Sequence, residues 1–295
     1  MAEGRVSIRE VGPRDGLQRE APLEPRQRLA LIEALARCGF ADMEVAAFVS
    51  ARAVPAMAGA AEVVAGLPTG VGCAWWALVP NLTGADHALA AGIADVSVTV
   101  SASEGYSRRN VGMGVEESCA EAMAIIERVP RADVVISCSF GSPYEAAIDP
   151  GALASMVERF TGAGASVTLA DTTGVASPRR LREVLALTGP QVGLHLHDTR
   201  GSALVNAYAA LELGITRFDT SVGGLGGSPF SDDAGGNLAT EDLVSLLDDL
   251  GRPTGIALDR LVDVDELLGD LLARPLPGRV AEAELAKRAR GRPPA

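Results

Sequence analysis

The segment Leu194-His195-Leu196-His197-Asp198 places two of the chain's three histidines two residues apart. On a β-strand that spacing points both imidazoles to one face. Two convergent imidazoles beside carboxylates can hold a divalent cation; the alternative is a hydrogen-bonded pair of core histidines. Asp15, in Gly12-Pro13-Arg14-Asp15-Gly16, offers a carboxylate from another strand end and favours the metal reading. Mixed nitrogen and oxygen ligands suit Mg2+, Mn2+ or another first-row ion. A zinc–thiolate centre is disfavoured, because Cys38, Cys73, Cys119 and Cys138 form no CxxC pair and read as free thiols. His87 lies in an Ala-rich helical stretch and reads as structural or solvent-facing.

A second unusual stretch is Gly223-Gly224-Leu225-Gly226-Gly227-Ser228-Pro229-Phe230. Glycine at this density marks backbone that bends sharply, approaches a ligand or moves. Neither phosphate-loop pattern is present, so a flap over a site is the favoured reading. Asn237 follows it and precedes a helix start, where it either caps that helix or reaches the metal. The chain has one lysine, Lys287, far beyond the last expected strand. Imine chemistry is therefore disfavoured, and any carbon–carbon chemistry must stabilise its enolate with a cation and arginine.

These residues need a scaffold that gathers strand ends. Strand-like runs fall at Arg5–Val11, Asp42–Phe48, Cys73–Val79, Asp95–Val100, Asp133–Ser139, Ser166–Asp171, Val192–His197 and Arg217–Val222. Helical segments alternate with them: Leu29, Ile32, Leu35 and Ala36 recur at helical spacing, and Ser177-Pro178 reads as an N-cap with proline at the first helical position. Eight such alternations predict an α/β (β/α)8 TIM barrel, whose chemistry sits at the C-terminal strand ends. The alternative, an open doubly wound sheet, would want a GxGxxG turn after the first strand, where this chain has Gly12-Pro13-Arg14-Asp15-Gly16, so the barrel is favoured. Residues 1–273 form the expected barrel domain, with 274–295 a short C-terminal tail, helical in part and otherwise loose. The polar residues at or near the strand ends are Arg14, Asp15, Glu44, Asn81, Ser103, Glu104, Asp171, His195, His197 and Asp198.

A net charge of −12 argues against nucleic acid as a partner. No apolar run reaches the ~18 residues of a membrane span, and Met1–Arg9 lacks a signal-peptide core, so the protein reads as cytoplasmic, without membrane partners.

Glu10-Val11-Gly12-Pro13-Arg14-Asp15-Gly16-Leu17-Gln18 resembles the opening signature of the 3-hydroxy-3-methylglutaryl-CoA lyase family. The resemblance continues through Met43–Ser50, Val79–Leu82, Ser142–Glu145, Ala170–Thr172, His195–Thr199 and Gly236–Asp242, over nearly the whole chain. It implies that Asp15, His195, His197 and Asn237 bind the cation (Mg2+ or Mn2+), that Arg14 stabilises the enolate oxygen, and that Glu44 and Asp171 support the reacting centre. Gln18, Asn81, Ser103 and Thr172 are the substrate-binding candidates. The implied partners are an acyl-CoA or hydroxy-acid substrate and a second copy in a homodimer. One departure stands out: where the family's flap presents a catalytic cysteine, this chain has Ser228. An alcohol is a far weaker acid than a thiol, so serine implies reduced lyase activity or a shifted substrate. Arg108 and Arg109 either meet CoA phosphates or form a solvated pair.

The expected reaction is retro-Claisen cleavage of a 3-hydroxy-3-methylglutaryl-CoA-like thioester. Its rivals are cleavage of a related thioester such as citramalyl-CoA, aldol cleavage of a 4-hydroxy-2-oxo acid, and, from another class, non-catalytic acyl-CoA binding after loss of the thiol.

Overall fold

The computed structural model describes residues 5–227 and 235–291. Eight parallel strands close on themselves in sequence order, β1 pairing with β8. They are β1 (Ser7–Glu10), β2 (Asp42–Ala47), β3 (Ala74–Val79), β4 (Asp95–Ser101), β5 (Arg131–Ser137), β6 (Ser166–Asp171), β7 (Gly193–Leu196) and β8 (Arg217–Thr220). The outer ring comprises α1 (Pro25–Ala36), α2 (Ala60–Ala65), α3 (Leu82–Ala91), α4 (Glu104–Val111), α5 (Val115–Arg128), α6 (Pro150–Gly162), α7 (Pro178–Thr188), α8 (Ala203–Glu212), α9 (Thr240–Asp249), α10 (Leu258–Leu272) and α11 (Arg279–Gly291). The TIM barrel expected from the strand–helix alternation is the observed fold.

Local chemistry explains why strand ends become helix starts. Asn81 Oδ1 accepts the Gly84 amide at 2.9 Å, Ser103 Oγ the Tyr106 amide at 3.0 Å, and Asp149 Oδ1 the Gly151 amide at 2.9 Å. Ser177 caps α7, with Pro178 opening the helix. Each satisfies an amide that the first helical turn leaves without a partner. Strand cores such as Val96–Val98–Val100 and Val134–Ile136 are buried between the barrel interior and the helices, and their near-continuous apolarity is what a parallel sheet covered on both faces requires.

The barrel interior also carries charge. Arg9 donates to Asp219 through Nε (2.9 Å) and Nη2 (2.8 Å), to Asp133 (2.8 Å) and to Ser97 (3.2 Å). Thr168 Oγ1 also donates to Asp133 Oδ2, at 2.9 Å. One guanidinium between two carboxylates is tolerable only because each charge is paired and hydrogen-bonded; removing a single partner of such a group costs about 3–5 kcal/mol.

The C-terminal segment is more ordered than its Pro- and Arg-rich composition predicts. Arg279–Gly291 is a helix packed on α9 and α10, with Ala281 fully buried. Asp242 of α9 accepts the amides of Val280 (2.8 Å) and Arg279 (3.3 Å), so the cap comes from another helix. No helix among the described residues is long and apolar enough to cross a membrane.

Candidate active site

Beyond Glu10 the chain makes one wide turn over Gly12–Gly16: Val11 O accepts the amides of Arg14 (3.1 Å), Asp15 (2.7 Å) and Gly16 (3.2 Å). Single turns of this π type are frequent at functional sites. It ends β1 early and leaves Arg14 and Asp15 buried in the barrel mouth. Glu10 locks the turn to the end of β8. Its Oε1 accepts the amides of Gly12 (2.7 Å) and Val222 (2.9 Å), and its Oε2 the Thr240 hydroxyl (2.6 Å). Burial pushes the Glu10 carboxyl up to about 7, although these hydrogen bonds oppose the shift.

Asp15, His195 and His197 bring one ligand atom each to within 4.8 Å of the others. The two Nε2 atoms are 3.1 Å apart, and Asp15 Oδ2 lies 4.0 Å from that of His195. Asn237 Nδ2 donates to Asp15 Oδ2 (2.6 Å) and to Leu225 O (2.8 Å). Its Oδ1 is buried without a hydrogen-bond partner, an arrangement that is costly unless something else binds there. Two facing imidazole nitrogens, a carboxylate and an orphaned amide oxygen suit a hard-to-borderline divalent cation, so the residues present fit the ion. Cys138, buried at the end of β5, is no part of this set.

Charge within the cluster follows the same geometry. Burial opposes ionisation of Asp15, but Arg14 and the two imidazoles outweigh it and hold the carboxyl below its usual range. Burial and the neighbouring His195 push His197 down to about 3, which leaves it neutral. His195 is held above its usual value despite burial, because Asp219 and Asp15 flank it. Its Nδ1 lies 3.4 Å from Asp219 Oδ2. That carboxylate, itself gripped by Arg9, fixes the ring so that Nε2 faces Asp15 and His197.

Arg14 projects into the same space. Nη1 reaches Asp15 Oδ1 at 2.8 Å, and Nε is held by Glu44 Oε2. Glu44 is buried behind Arg14 and absent from the cavity lining, so it orients the guanidinium. Gln18 bridges Asp15 Oδ1 (2.7 Å) and Gly227 O (3.2 Å). Gly226 sits directly on the ligands: at φ +120° a Cβ there would come within 2.2 Å of Asn237 Nδ2 and 2.8 Å of Asp15 Oδ2. Among the described residues, then, the glycine-rich segment covers the cluster. Ser228 lies outside the described residues.

The cavity beside the cluster has a volume of about 370 Å³. Arg14, Asp15, Gln18, Asn81, Thr172, His195 and His197 line it, so seven of the residues singled out from the sequence meet in one space. Asn81 also caps α3, and Thr172 Oγ1 accepts the Cys138 amide at 2.9 Å.

Among the described residues four candidates do not reach the cavity lining: Glu44, bonded to Arg14, Asn237, bonded to Asp15, and also Asp171 and Ser103. Asp171 points away from it, because Ala170 and Thr172 take the inward positions and strand side chains alternate. Its carboxylate accepts the amides of Val175 (2.8 Å) and Ala176 (3.0 Å), anchoring the loop after β6, and burial raises it to about 6. Ser103 is fully buried in the cap of α4 and bonded to Glu145 and Ser142. Arg108 is an exposed partner of Glu104, as a solvated surface pair would be.

Sequence reasoning missed Arg9, Glu10 and Asp219. A signal was present: charged residues within strand-like runs are seldom fully buried without a structural or functional partner.

Fold and site together define a closed α/β barrel with a buried cluster at its mouth whose residues fit a divalent cation. The HMGL-like family model matches residues 5–268. The chain belongs to that family. It is 40% identical over 294 residues (96% of this chain, 98% of the relative) to a 3-hydroxy-3-isohexenylglutaryl-CoA/hydroxy-methylglutaryl-CoA lyase of Pseudomonas aeruginosa. It is 38% identical over 290 residues (95% and 89%) to the mitochondrial hydroxymethylglutaryl-CoA lyase of Macaca fascicularis. A solved HMG-CoA lyase from Acenitobacter baumannii, in complex with coenzyme A and 3-methylmalate, superposes with a TM-score of 0.90 at 36% identity, covering 96% of each chain.

Proposed function

We propose that this protein cleaves a 3-hydroxy-3-methylglutaryl-CoA-like thioester into acetyl-CoA and a keto acid, with Mg2+ or Mn2+ held by Asp15, His195, His197 and Asn237. The observation that carries this reading is the convergence of Asp15, His195 and His197 with Arg14 on one cavity, with Asn237 bonded to Asp15. The bound cation would supply Lewis acidity, lowering the pKa of the substrate's tertiary hydroxyl. The chain's own residues do the rest. A base of the cluster takes the hydroxyl proton, the bond between the hydroxyl-bearing carbon and the thioester methylene breaks, and the electron pair passes into the thioester as its enolate. Arg14, pre-oriented by Glu44 and desolvated, offsets that negative charge. Gln18 and the Gly223–Gly227 backbone exclude water above it. Ser228, or a water it holds, returns a proton to the enolate carbon. The protein acts as a homodimer in the cytoplasm.

Incubation with Mn2+ or Mg2+ and 3-hydroxy-3-methylglutaryl-CoA, with thioester products resolved by chromatography, tests the reading. Cation-dependent release of acetyl-CoA supports it. A protein that binds the cation but cleaves neither this thioester nor citramalyl-CoA contradicts it. The Ser228→Cys variant is the sharper probe, since a better acid on the flap raises turnover if proton return limits the native protein.

A further inference from the structure

Arg28 of α1 is fully buried, and no carboxylate among the described residues offsets its charge. Burial pushes the guanidinium down to about 10, so it remains a cation at neutral pH. An arginine is almost never buried in this way without an anionic partner, because the desolvated charge is costly. Arg9 and Arg14, by contrast, are both ion-paired to carboxylates. What Arg28 holds instead is backbone. Nη2 donates to Val45 O at 3.2 Å and lies 3.8 Å from Met57 Sδ, Nη1 donates to Ala58 O at 3.1 Å, and Nε has no partner. Between those two carbonyls runs the segment whose Val49, Ser50, Ala53 and Val54 line the cavity.

Val45 is not an ordinary strand residue. β2 and β3 run in register as far as Glu44 with Trp76 and resume at Ala46 with Ala77, so Val45 is the extra residue of a bulge and has no partner in β3. A bulge re-aims the side chains beside it. Here the neighbouring side chain is Glu44, whose Oε2 takes Arg14 Nε. Glu44 is buried and its Oε1 has no hydrogen-bond partner among the described residues, so the carboxylate's aim is set by the backbone that carries it. Resting on the lyase reading above, we infer that Arg28 is a positioning residue for the reaction: its guanidinium fixes the bulge at Val45, the bulge aims Glu44, and Glu44 presents Arg14 to the enolate. A guanidinium suits that task because its planar fork grips two carbonyls at once, through hydrogen bonds strengthened by its charge.

Two readouts separate this role from simple support of the fold, and one of them needs no turnover. NMR of nitrogen-labelled arginine follows the Arg14 Nε–H signal, identified by its loss in Arg14→Gln. Arg28→Met and Glu44→Leu each shift that signal, and Arg28→Met shifts it no further in a protein that already carries Glu44→Leu. In kcat for 3-hydroxy-3-methylglutaryl-CoA each single variant loses about 10–100-fold, the cost of a misplaced group at the reacting centre. The double variant loses no more than Glu44→Leu alone, because both act through one contact. Arg28→Lys keeps the charge without the fork and recovers part of the loss. An Arg14 signal that ignores Arg28→Met overturns the inference, as do losses in kcat that multiply in the double variant. Should Arg28→Met fail to fold, as read by circular dichroism, Arg28→Lys goes through the same cycle; a smaller shift that vanishes in the Glu44→Leu protein is expected, and a native Arg14 signal overturns the inference. If the Arg14 signal behaves as expected while no thioester is cleaved, the positioning stands and the lyase reading falls.

Discussion

The Nε2 atoms of His195 and His197 stand 3.1 Å apart at the C-terminal end of β7, a separation at which two imidazoles share either a proton or a cation. Burial and the neighbouring His195 push His197 down to about 3, so that ring stays neutral, the form in which an imidazole ligates a cation. Either His197→Ala or His195→Ala should abolish high-affinity Mn2+ binding while the barrel still melts cooperatively. Calorimetric titration with Mn2+ checks this; a single-histidine variant with native affinity excludes the site.

Asp219 acts on the same centre through His195. Its Oδ2 lies 3.4 Å from Nδ1, and Arg9 holds both its oxygens. Asp219→Asn keeps the shape but weakens the grip on the ring, so Mn2+ affinity should drop by about 10–100-fold. The variant also loses stability, because Arg9 keeps Asp133 as its one charged partner. An affinity within a factor of two of native would show that the ring is held by packing alone.

Arg14 offers a guanidinium where the enolate charge develops. Arg14→Gln should lower kcat by about 10²–10³-fold, the usual cost of one transition-state donor. Cation affinity should change far less, because Asp15 retains Gln18 and Asn237. Equal losses in turnover and in Mn2+ affinity would place Arg14 in holding Asp15 alone.

Glu10 predicts a pH dependence of stability. Its folded value is raised from 4.5 to about 7, so the unfolded chain loses its proton first as pH rises. Its contribution is complete below about 4.5 and is lost progressively as pH rises towards about 7, amounting to about 3 kcal/mol. Glu10→Gln retains an oxygen for the Gly12 and Val222 amides and can donate to Thr240. Urea midpoints measured from pH 4.5 to 7.5 should therefore fall more steeply in the native protein than in the variant. Parallel curves would show that Glu10 stays ionised when folded.

The amino-acid sequence by itself determined the eight-fold strand–helix alternation and hence the barrel. It also determined the convergence of His195 and His197, because a period of two on a strand is a local rule that needs no tertiary information. The strand-end rule then selected Arg14 and Asp15 without knowledge of their neighbours. Three things were left to the tertiary structure. Whether Asp171 faces the cavity depends on which parity β6 adopts, and that is set by packing of Ala170 and Thr172 against the barrel interior. Whether the C-terminal segment is ordered depends on Asp242, a cap supplied from 37 and 38 residues away. The support behind His195 depends on Arg9 and Asp219, which are 210 residues apart in the chain and meet only because β1 closes the barrel against β8.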